Sequence, residues 1–375
     1  MRFLNIKTYG YRNLRDQTLT LNPGFNVLVG RNGHGKTNFL EAIYYLVKGA
    51  SFRPGKVESL IRHGAKSGFI AGQVEAAQME STIVAKFAGH QRQFLLNGKR
   101  TPGSRLQMHY PIVLFSPESL MAIKEGPGAR RELLDDLLLS HQPHLAAALR
   151  DYQQSLRARN RILKDFQDGK IPLSTARDVL ESLNESFLDL AMRITVARLE
   201  ALRALHSFLQ AIYRKIDRAR PVDISVEYVI SQQNHLQSTA QELYDTMRKR
   251  LQQLADAELR AGLTLVGPHR HEITFLFDGH DARFYCSQGQ QRALILAFKM
   301  AQIVYHRKLH KVSPILLLDD VMSELDQEKQ SLLIEFLKDS TAQIVLTTTD
   351  ATQSRQFFDF AGQVFEIHEG SVITN

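Results

Sequence analysis

Gly30-Arg31-Asn32-Gly33-His34-Gly35-Lys36-Thr37 has the spacing G-x-x-x-x-G-K-[ST]. It lies between a run that reads as a strand, Phe25-Asn26-Val27-Leu28-Val29, and a helical pattern through Leu40, Ile43, Tyr44 and Val47, the context a phosphate loop requires. Gly30 and Gly35 let backbone N–H groups turn inward on phosphate oxygens, and the helix beginning there adds its positive end. Lys36 is expected to reach the β and γ phosphates of a nucleotide, and the Thr37 hydroxyl to ligate magnesium. The second chemical segment, Ile315-Leu316-Leu317-Leu318-Asp319-Asp320, is an apolar run typical of a buried parallel strand, ending in two carboxylates. Asp319 is placed to hold the magnesium through water, and Asp320 to orient or deprotonate an attacking water. Paired acids after a strand also serve as helix caps; a phosphate loop in the same chain favours the nucleotide chemistry.

Such a pair of motifs needs a scaffold that brings a loop and a strand end together. With 375 residues, 43% hydrophobic and 23% charged, the chain can bury a core in one large domain or two ordinary ones. Its apolar stretches fall far short of the roughly 20 residues of a membrane span, and residues 1–14 lack the apolar block of a signal peptide, so no membrane association and a cytoplasmic location are expected. The single cysteine, Cys286, rules out an internal disulfide framework and leaves no thiolate pair for a structural zinc. His269 and His271 form either a turn or surface pair or two ligands of a metal.

Residues 2–6, 18–21 and 25–29 read as strands, separated by Tyr9-Gly10 and Asn22-Pro23-Gly24, and further strands are expected at 82–87 and 93–96, the latter turning at Asn97-Gly98. From about Arg130 the period becomes helical. One seam runs Leu145, Leu149, Tyr152, Leu156, Leu163, Phe166, with Arg159 in the skipped position; a second runs from Leu180 to Phe208. Asp168-Gly169-Lys170-Ile171-Pro172 between them is a reversal. Both an antiparallel hairpin packed seam against seam and two helices buried in a globular helical subdomain satisfy this pattern. A further helix is expected over 241–259, strands over 273–277, 282–285, 315–318 and 343–347, and a helix over 290–305.

Ser287-Gln288-Gly289-Gln290-Gln291-Arg292 precedes the acidic strand and opens a helix. It resembles the signature motif of ABC-type ATPases. By that resemblance the Ser287 hydroxyl, the Gly289 N–H and the helix N-terminus face the γ-phosphate held by the phosphate loop of another subunit; small residues at a helix N-terminus let an anion approach closely. Ser323-Glu324-Leu325-Asp326 matches the D-loop of the same class, which crosses that interface. The fold implied is an α/β ABC-type head, residues 1–115 and 263–375, with an inserted helical, coiled-coil-like arm, residues 116–262.

Over essentially its whole length the chain resembles the RecF family of bacterial recombination-mediator ATPases. The resemblance is carried by Tyr11-Arg12-Asn13-Leu14, the phosphate loop, Ser116-Pro117-Glu118, Arg130-Arg131 to Leu133, Arg157-Ala158-Arg159-Asn160, Gly267-Pro268-His269-Arg270 and the signature. It implies ATP and Mg2+ as cofactors, an ATP-dependent homodimer, weak ATP hydrolysis and binding to DNA, at gaps or single-stranded/double-stranded junctions and on double-stranded DNA. It also implies a role in DNA repair, replication and the SOS response, in which RecR and RecO type mediators help load recombinase. The expected nucleotide site is then Gly30, Arg31, Asn32, Gly33, His34, Gly35, Lys36, Thr37, Arg12, Ser287 and Gly289. Thr37 and Asp319 belong to the metal, Lys36, Asp319 and Asp320 to catalysis, and Glu118 to the lid facing the γ-phosphate. Two departures stand out. His271-Glu272 replaces the two acids usual in the family after G-P-H-R, and Asp320 stands where most ABC relatives use glutamate, one methylene longer, which predicts slow turnover.

The formal charge of +8 is unevenly spread: residues 1–115 carry 16 Lys/Arg against 5 Asp/Glu, and residues 221–375 carry 14 against 20. A one-sided basic lobe is the footprint of a phosphate-backbone binder, and also of a solvated surface beside a nucleotide pocket. Lys66, Arg92, Lys99, Arg100 and Arg105 are the candidate DNA contacts. With no base-reading motif, recognition of backbone or DNA structure is expected. Arg157, Arg159 and Arg161 suit a solvated helix face or a partner surface. Two rival functions share the ATPase class: an ATP-gated scaffold without its own DNA site, and a nuclease-associated ATPase, against which no extra acidic cluster or zinc spacing is present.

Overall fold

The structure, a computed structural model, describes residues 1–76, 79–103, 105–106, 110–142, 144–217, 221–349 and 362–374. The chain divides into two compact units, Met1–Met121 with Lys215–Asp217 and Arg292–Asn375, and Ala122–Arg214 with Arg218–Gln291. Among the described residues no helix is long and apolar enough to cross a membrane.

The first unit holds two six-stranded sheets. In one, strand Phe25–Val29 pairs in parallel with Ile344–Thr348 and Gln363–His368, and Ile315–Asp319 pairs in parallel with Ile344–Thr348 and Ile112–Phe115. Every residue of Phe25–Val29, Ile315–Asp319 and Ile344–Thr348 is buried, which is why these runs are mostly apolar instead of alternating, with Asn26, Asp319, Thr347 and Thr348 as the buried polar exceptions. The other sheet is antiparallel and includes Arg2–Tyr9, Ser67–Ala76, Met79–Ala88, Gln91–Leu96 and Lys99–Thr101. Its strands alternate: Gly68, Ile70, Gly72 and Val74 turn inward, their neighbours outward. Helix Lys36–Lys48 is buried on all sides, and Phe39, Leu40, Ile43 and Leu46 join one core with Phe3, Ile70, Ile83, Leu317 and Val345, each such side chain contributing about 1.5–3 kcal/mol by leaving water. Because Ile344–Thr348 lies between Phe25–Val29 and Ile315–Asp319, the phosphate loop and the acidic pair leave the same carboxyl edge of the sheet, where open parallel sheets hold their ligands.

The second unit contains the expected hairpin, helices Leu145–Gln167 and Leu173–Ile216, reversing at Gly169, whose φ of 70° suits glycine. The seam is not closed by the two helices alone. Met247 and Leu251 of helix Ala240–Gln253 pack with Tyr152, Phe187, Ala191 and Ile194, so the hairpin base is part of a globular helical cluster. The helix expected over 241–259 is two, Ala240–Gln253 and Ala255–Ala261, broken at Leu254. Arg159 is not on a solvated face: it is 1% exposed, donates to Glu258 Oε2 at 2.8 Å and to Asn184, and lies over the Phe187 ring. Arg157 and Arg161 are exposed.

The unit also carries a sheet that the helical period does not announce. Ile224–Ile230 pairs antiparallel with Glu272–Phe277, so the unit runs to Gln291, past residue 263. Residues 282–285, expected as a strand, are a helical turn, Ala282–Tyr285, because Asp281 caps it by accepting the Arg283 N–H at 2.9 Å. His271 shares a hydrogen bond with Tyr228 Oη at 2.9 Å and is buried, and Glu272 receives two bonds of 2.9 Å from Arg130. Both residues after G-P-H-R are thus engaged within the unit. His269 Nε2 donates to Thr264 O and Nδ1 accepts from Tyr152 Oη, and burial pushes its pKa down to about 4.

Arg159→Ala leaves Glu258 buried without its cation, at an expected cost of about 3–5 kcal/mol in urea denaturation of the full chain. Arg157→Ala is expected to stay within about 0.5 kcal/mol. Equal stability of the two variants would contradict the buried pair.

Candidate functional site

The strand Phe25–Val29 ends at Gly30, where a Cβ would meet Ile367 O at 2.4 Å; its own N–H is directed to Thr348 O at 3.4 Å. Gly30 therefore shapes the exit from the sheet and is not a phosphate donor. The loop then turns through His34 N–H to Arg31 O at 3.3 Å and reaches Gly35, whose φ is 110° and whose added Cβ would lie 2.8 Å from Leu14. Helix Lys36–Lys48 starts there without a side-chain cap, so its first amides are left to an external acceptor.

Asn32, Gly33, Gly35, Lys36, Thr37, Asn38, Arg53 and Asp320 line a cavity of about 230 Å³, room for a polyphosphate more than for a whole nucleotide. Lys36 Nζ rests on Gly30 O at 2.6 Å and Arg31 O at 3.1 Å. Burial lowers its pKa, while Asp320 and Asp319 act in the opposite sense. Asp319 Oδ1 accepts from Thr37 Oγ1 at 2.9 Å and from Thr347 Oγ1 at 2.8 Å. Burial raises the Asp319 pKa, opposed by those two hydroxyls and aided by the negative charges of Glu118 and Asp320. A buried carboxylate touching a hydroxyl is a hard-oxygen set suited to a magnesium ion that takes its remaining ligands from phosphates and water.

Asp320 follows with φ 48°, and its N–H is fixed on Thr347 Oγ1 at 2.9 Å. Glu118 is exposed on the short helix Pro117–Leu120, at the end of the strand beside Ile315–Asp319. Arg292 donates to Glu324 O at 3.1 Å, holding the segment after the acidic pair.

Of the loop residues, His34 bonds Ile367 O at 3.2 Å and Arg31 is exposed; neither lines the cavity. Arg12 does not line it either. Its guanidinium makes bonds of 3.0 and 2.7 Å to Glu41, a carboxylate whose side chain is 0% exposed. That clamp sets Asn13 in place to donate to Gly33 O at 2.8 Å and to accept from Asn38 at 2.7 Å, and Asn38 in turn accepts from Arg53 at 2.6 Å. Sequence reasoning gives no site role to Asn13, Asn38, Arg53 or Thr347. Thr347 is accessible to it as a hydroxyl at the end of a buried strand; Arg53 stands in no motif.

Ser287 heads helix Gln288–His310, accepting from Gln290 N–H at 3.3 Å while Gln290 Oε1 accepts from Ser287 N–H at 2.9 Å, a reciprocal cap. Gly289 is exposed, and a Cβ there would meet only Ser287 Oγ at 4.0 Å. Glycine gains nothing over alanine in a helix, and among the described residues no atom requires it here.

The five candidate DNA contacts are all exposed. Lys99 and Arg100 lie on the edge strand Lys99–Thr101, opposite Leu96 and Leu95 of Gln91–Leu96 and at the other end of that strand from Arg92. The Ser67–Ala88–Gln91 pairing brings Lys66 to the same end of the sheet as Arg92, and Arg92 also donates to Gly49 O at 2.9 Å. Arg105 lies beyond the sheet.

Comparison with known proteins agrees with this geometry. The family model for the RecF/RecN/SMC N terminal domain matches residues 3–371. The DNA replication and repair protein RecF of Anaeromyxobacter sp. (strain Fw109-5) is 35% identical, with 93% of each chain covered. That of Myxococcus xanthus (strain DK1622) is 32% identical over 99% of this chain and 97% of its own. The solved recombination mediator protein RecF-ATP of the RecFOR pathway superposes with a TM-score of 0.86 at 28% identity, covering 100% and 99% of the two chains. A Pyrococcus furiosus Smc head domain, at 17% identity and TM-score 0.57 over 100% of this chain and 96% of its own, shares the fold.

Arg12→Ala is expected to leave buried Glu41 to the Ser51 hydroxyl and Arg53, 3.9 Å away, and to lower stability by up to about 3 kcal/mol, measured by thermal denaturation, with nucleotide affinity falling as Asn13 leaves Gly33. A variant that melts like the wild type but loses nucleotide affinity would put the guanidinium on the nucleotide instead.

Proposed function

The chain belongs to the RecF family within the RecF/RecN/SMC N-terminal class, and from that footing we propose an ATP-dependent DNA-binding protein of recombinational repair and replication restart. In this proposal the chain dimerises on ATP and, with RecO and RecR type mediators, helps load recombinase at gapped DNA. Support for the nucleotide comes from the cavity around Lys36 and Thr37 and from the ATP named with a solved relative; support for the mediator role comes from the relatives' own descriptions.

Thr37 and Asp319 would hold Mg2+, which neutralises charge developing between the phosphates. Lys36 would exchange the carbonyls of Gly30 and Arg31 for phosphate oxygens. Asp320, held by Thr347, would orient or deprotonate the attacking water, and its short side chain makes hydrolysis slow. The observation that carries the shared site is Gly289. A glycine that nothing among the described residues requires, exposed beside Ser287 at the head of a long helix, suits the close approach of a phosphate bound by a second copy. Hydrolysis would then separate the copies and release DNA held by the basic sheet, with Lys66, Arg92, Lys99, Arg100 and Arg105 on its backbone.

Light scattering of the wild type and Ser287→Arg, with and without ATP, tests this together with DNA binding on the same samples. The wild type is expected to dimerise with ATP and to bind DNA more tightly as the dimer; Ser287→Arg stays monomeric. Reversing Lys99 and Arg100 to glutamate should reduce the salt slope of DNA binding by about 2. Two monomeric proteins that bind DNA equally with or without ATP would refute the proposal.

A further inference from the structure

The antiparallel sheet has a second face that the nucleotide site does not use. Ile70, Val74, Ile83, Ala85 and Phe87 point into the core with helix Lys36–Lys48, so the opposite face needs no apolar side chains for folding and would ordinarily be polar. Its register instead places Tyr9 against Phe69, Phe69 against Lys86, and Lys86 against Gln93. The next row on the same face runs Lys7, Ala71, Val84, Leu95, Arg100.

Tyr9 and Phe69 stack, with ring centroids 5.4 Å apart and planes 15° from parallel; Tyr9 is nevertheless 48% exposed, and Lys7 Nζ lies 5.9 Å from the Phe69 ring centre. Lys7, Lys86 and Arg100 are exposed and, among the described residues, have no carboxylate partner. The two rows contain no acid. Glu75 and Glu80 pair at the far end of the sheet, where Glu75 is tied to Arg2 at 3.0 Å. The result is a shelf of aromatic and aliphatic side chains with Lys7 and Arg100 at its two sides and Lys86 between them, about 19 Å across four strand spacings.

Cations in this arrangement match a phosphate backbone, and a stacked aromatic pair with an open surface matches an unpaired base, since every base has a π-face. Duplex bases are already stacked and cannot use it. We propose that this sheet face, centred on Tyr9 and Phe69, binds single-stranded DNA by base stacking, which rests on the DNA-binding reading above and adds to it a preference for the unpaired strand of a gap. The basic residues then hold backbone of either form, and Tyr9 senses whether bases are free.

The chain has no tryptophan, so Tyr9→Trp puts a single indole reporter on the shelf. Oligo(dT) is expected to quench the indole fluorescence of this variant, while a blunt duplex of equal length binds without quenching. Tyr9→Ala should weaken oligo(dT) binding at least about fivefold and leave duplex binding and ATP-dependent light scattering as in the wild type. Equal quenching by duplex would overturn stacking on free bases. Indole fluorescence unmoved by either DNA, in a Tyr9→Trp protein that still binds duplex, would overturn the inference alone. Failure of the wild type to bind any DNA would overturn both proposals.

Discussion

The hydrogen bonds from Thr37 and Thr347 onto one oxygen of Asp319 are the contacts on which the nucleotide site depends. A carboxylate buried at a strand end is costly to ionise unless donors face it, and here the donors come from the phosphate-loop helix and from the strand lying between the two motifs. Their alignment requires three parallel strands in the order observed, with Ile344–Thr348 in the middle. The continuous burial of those strands follows from that one requirement.

Buried charge serves a similar purpose elsewhere. Glu41 interrupts the otherwise apolar run from Phe39 to Val47, and Arg12 answers it from a segment whose φ of 46° no regular element would supply; the pair fixes Asn13 on the phosphate loop. In the second unit Glu258 accepts both Arg159 and the Leu265 N–H at 2.7 Å, while Asn160, next to Arg159, accepts the Thr264 N–H at 2.7 Å. Such pairs add little net stability over apolar packing, but each holds an irregular segment in one conformation. The family words Tyr11-Arg12-Asn13-Leu14 and Arg157-Ala158-Arg159-Asn160 are thus words about loop geometry as much as about ligands.

This explains what can be read from the chain beforehand. Lys36, Thr37, Asp319 and Asp320 are legible because their chemistry needs fixed residue types at fixed spacing, and the long helices because seven-residue patterns repeat many times. Resemblance points Arg12 at the nucleotide, whereas its partner Glu41 lies 29 positions away with no local signal. Gly30 and His34 belong to the motif's spacing but contact the strand Gln363–His368, not the cavity. Ile224–Ile230 alternates cleanly yet is hidden among helices. The turn at 282–285 reads as a strand because four residues cannot show a period, and the cap at Asp281 outweighs their β preference.

The claim that most of the function hangs on is that an ATP site is completed by two copies. Mixing two inactive variants tests it most directly: Lys36→Ala, which spoils the phosphate loop, and Ser287→Arg, which spoils the signature. In a symmetric dimer each mixed pair keeps one intact site, so an equimolar mixture should recover about a quarter of the wild-type ATP hydrolysis if the copies pair at random, and about half if only mixed pairs form. A mixture no more active than either variant alone would contradict a site shared between copies.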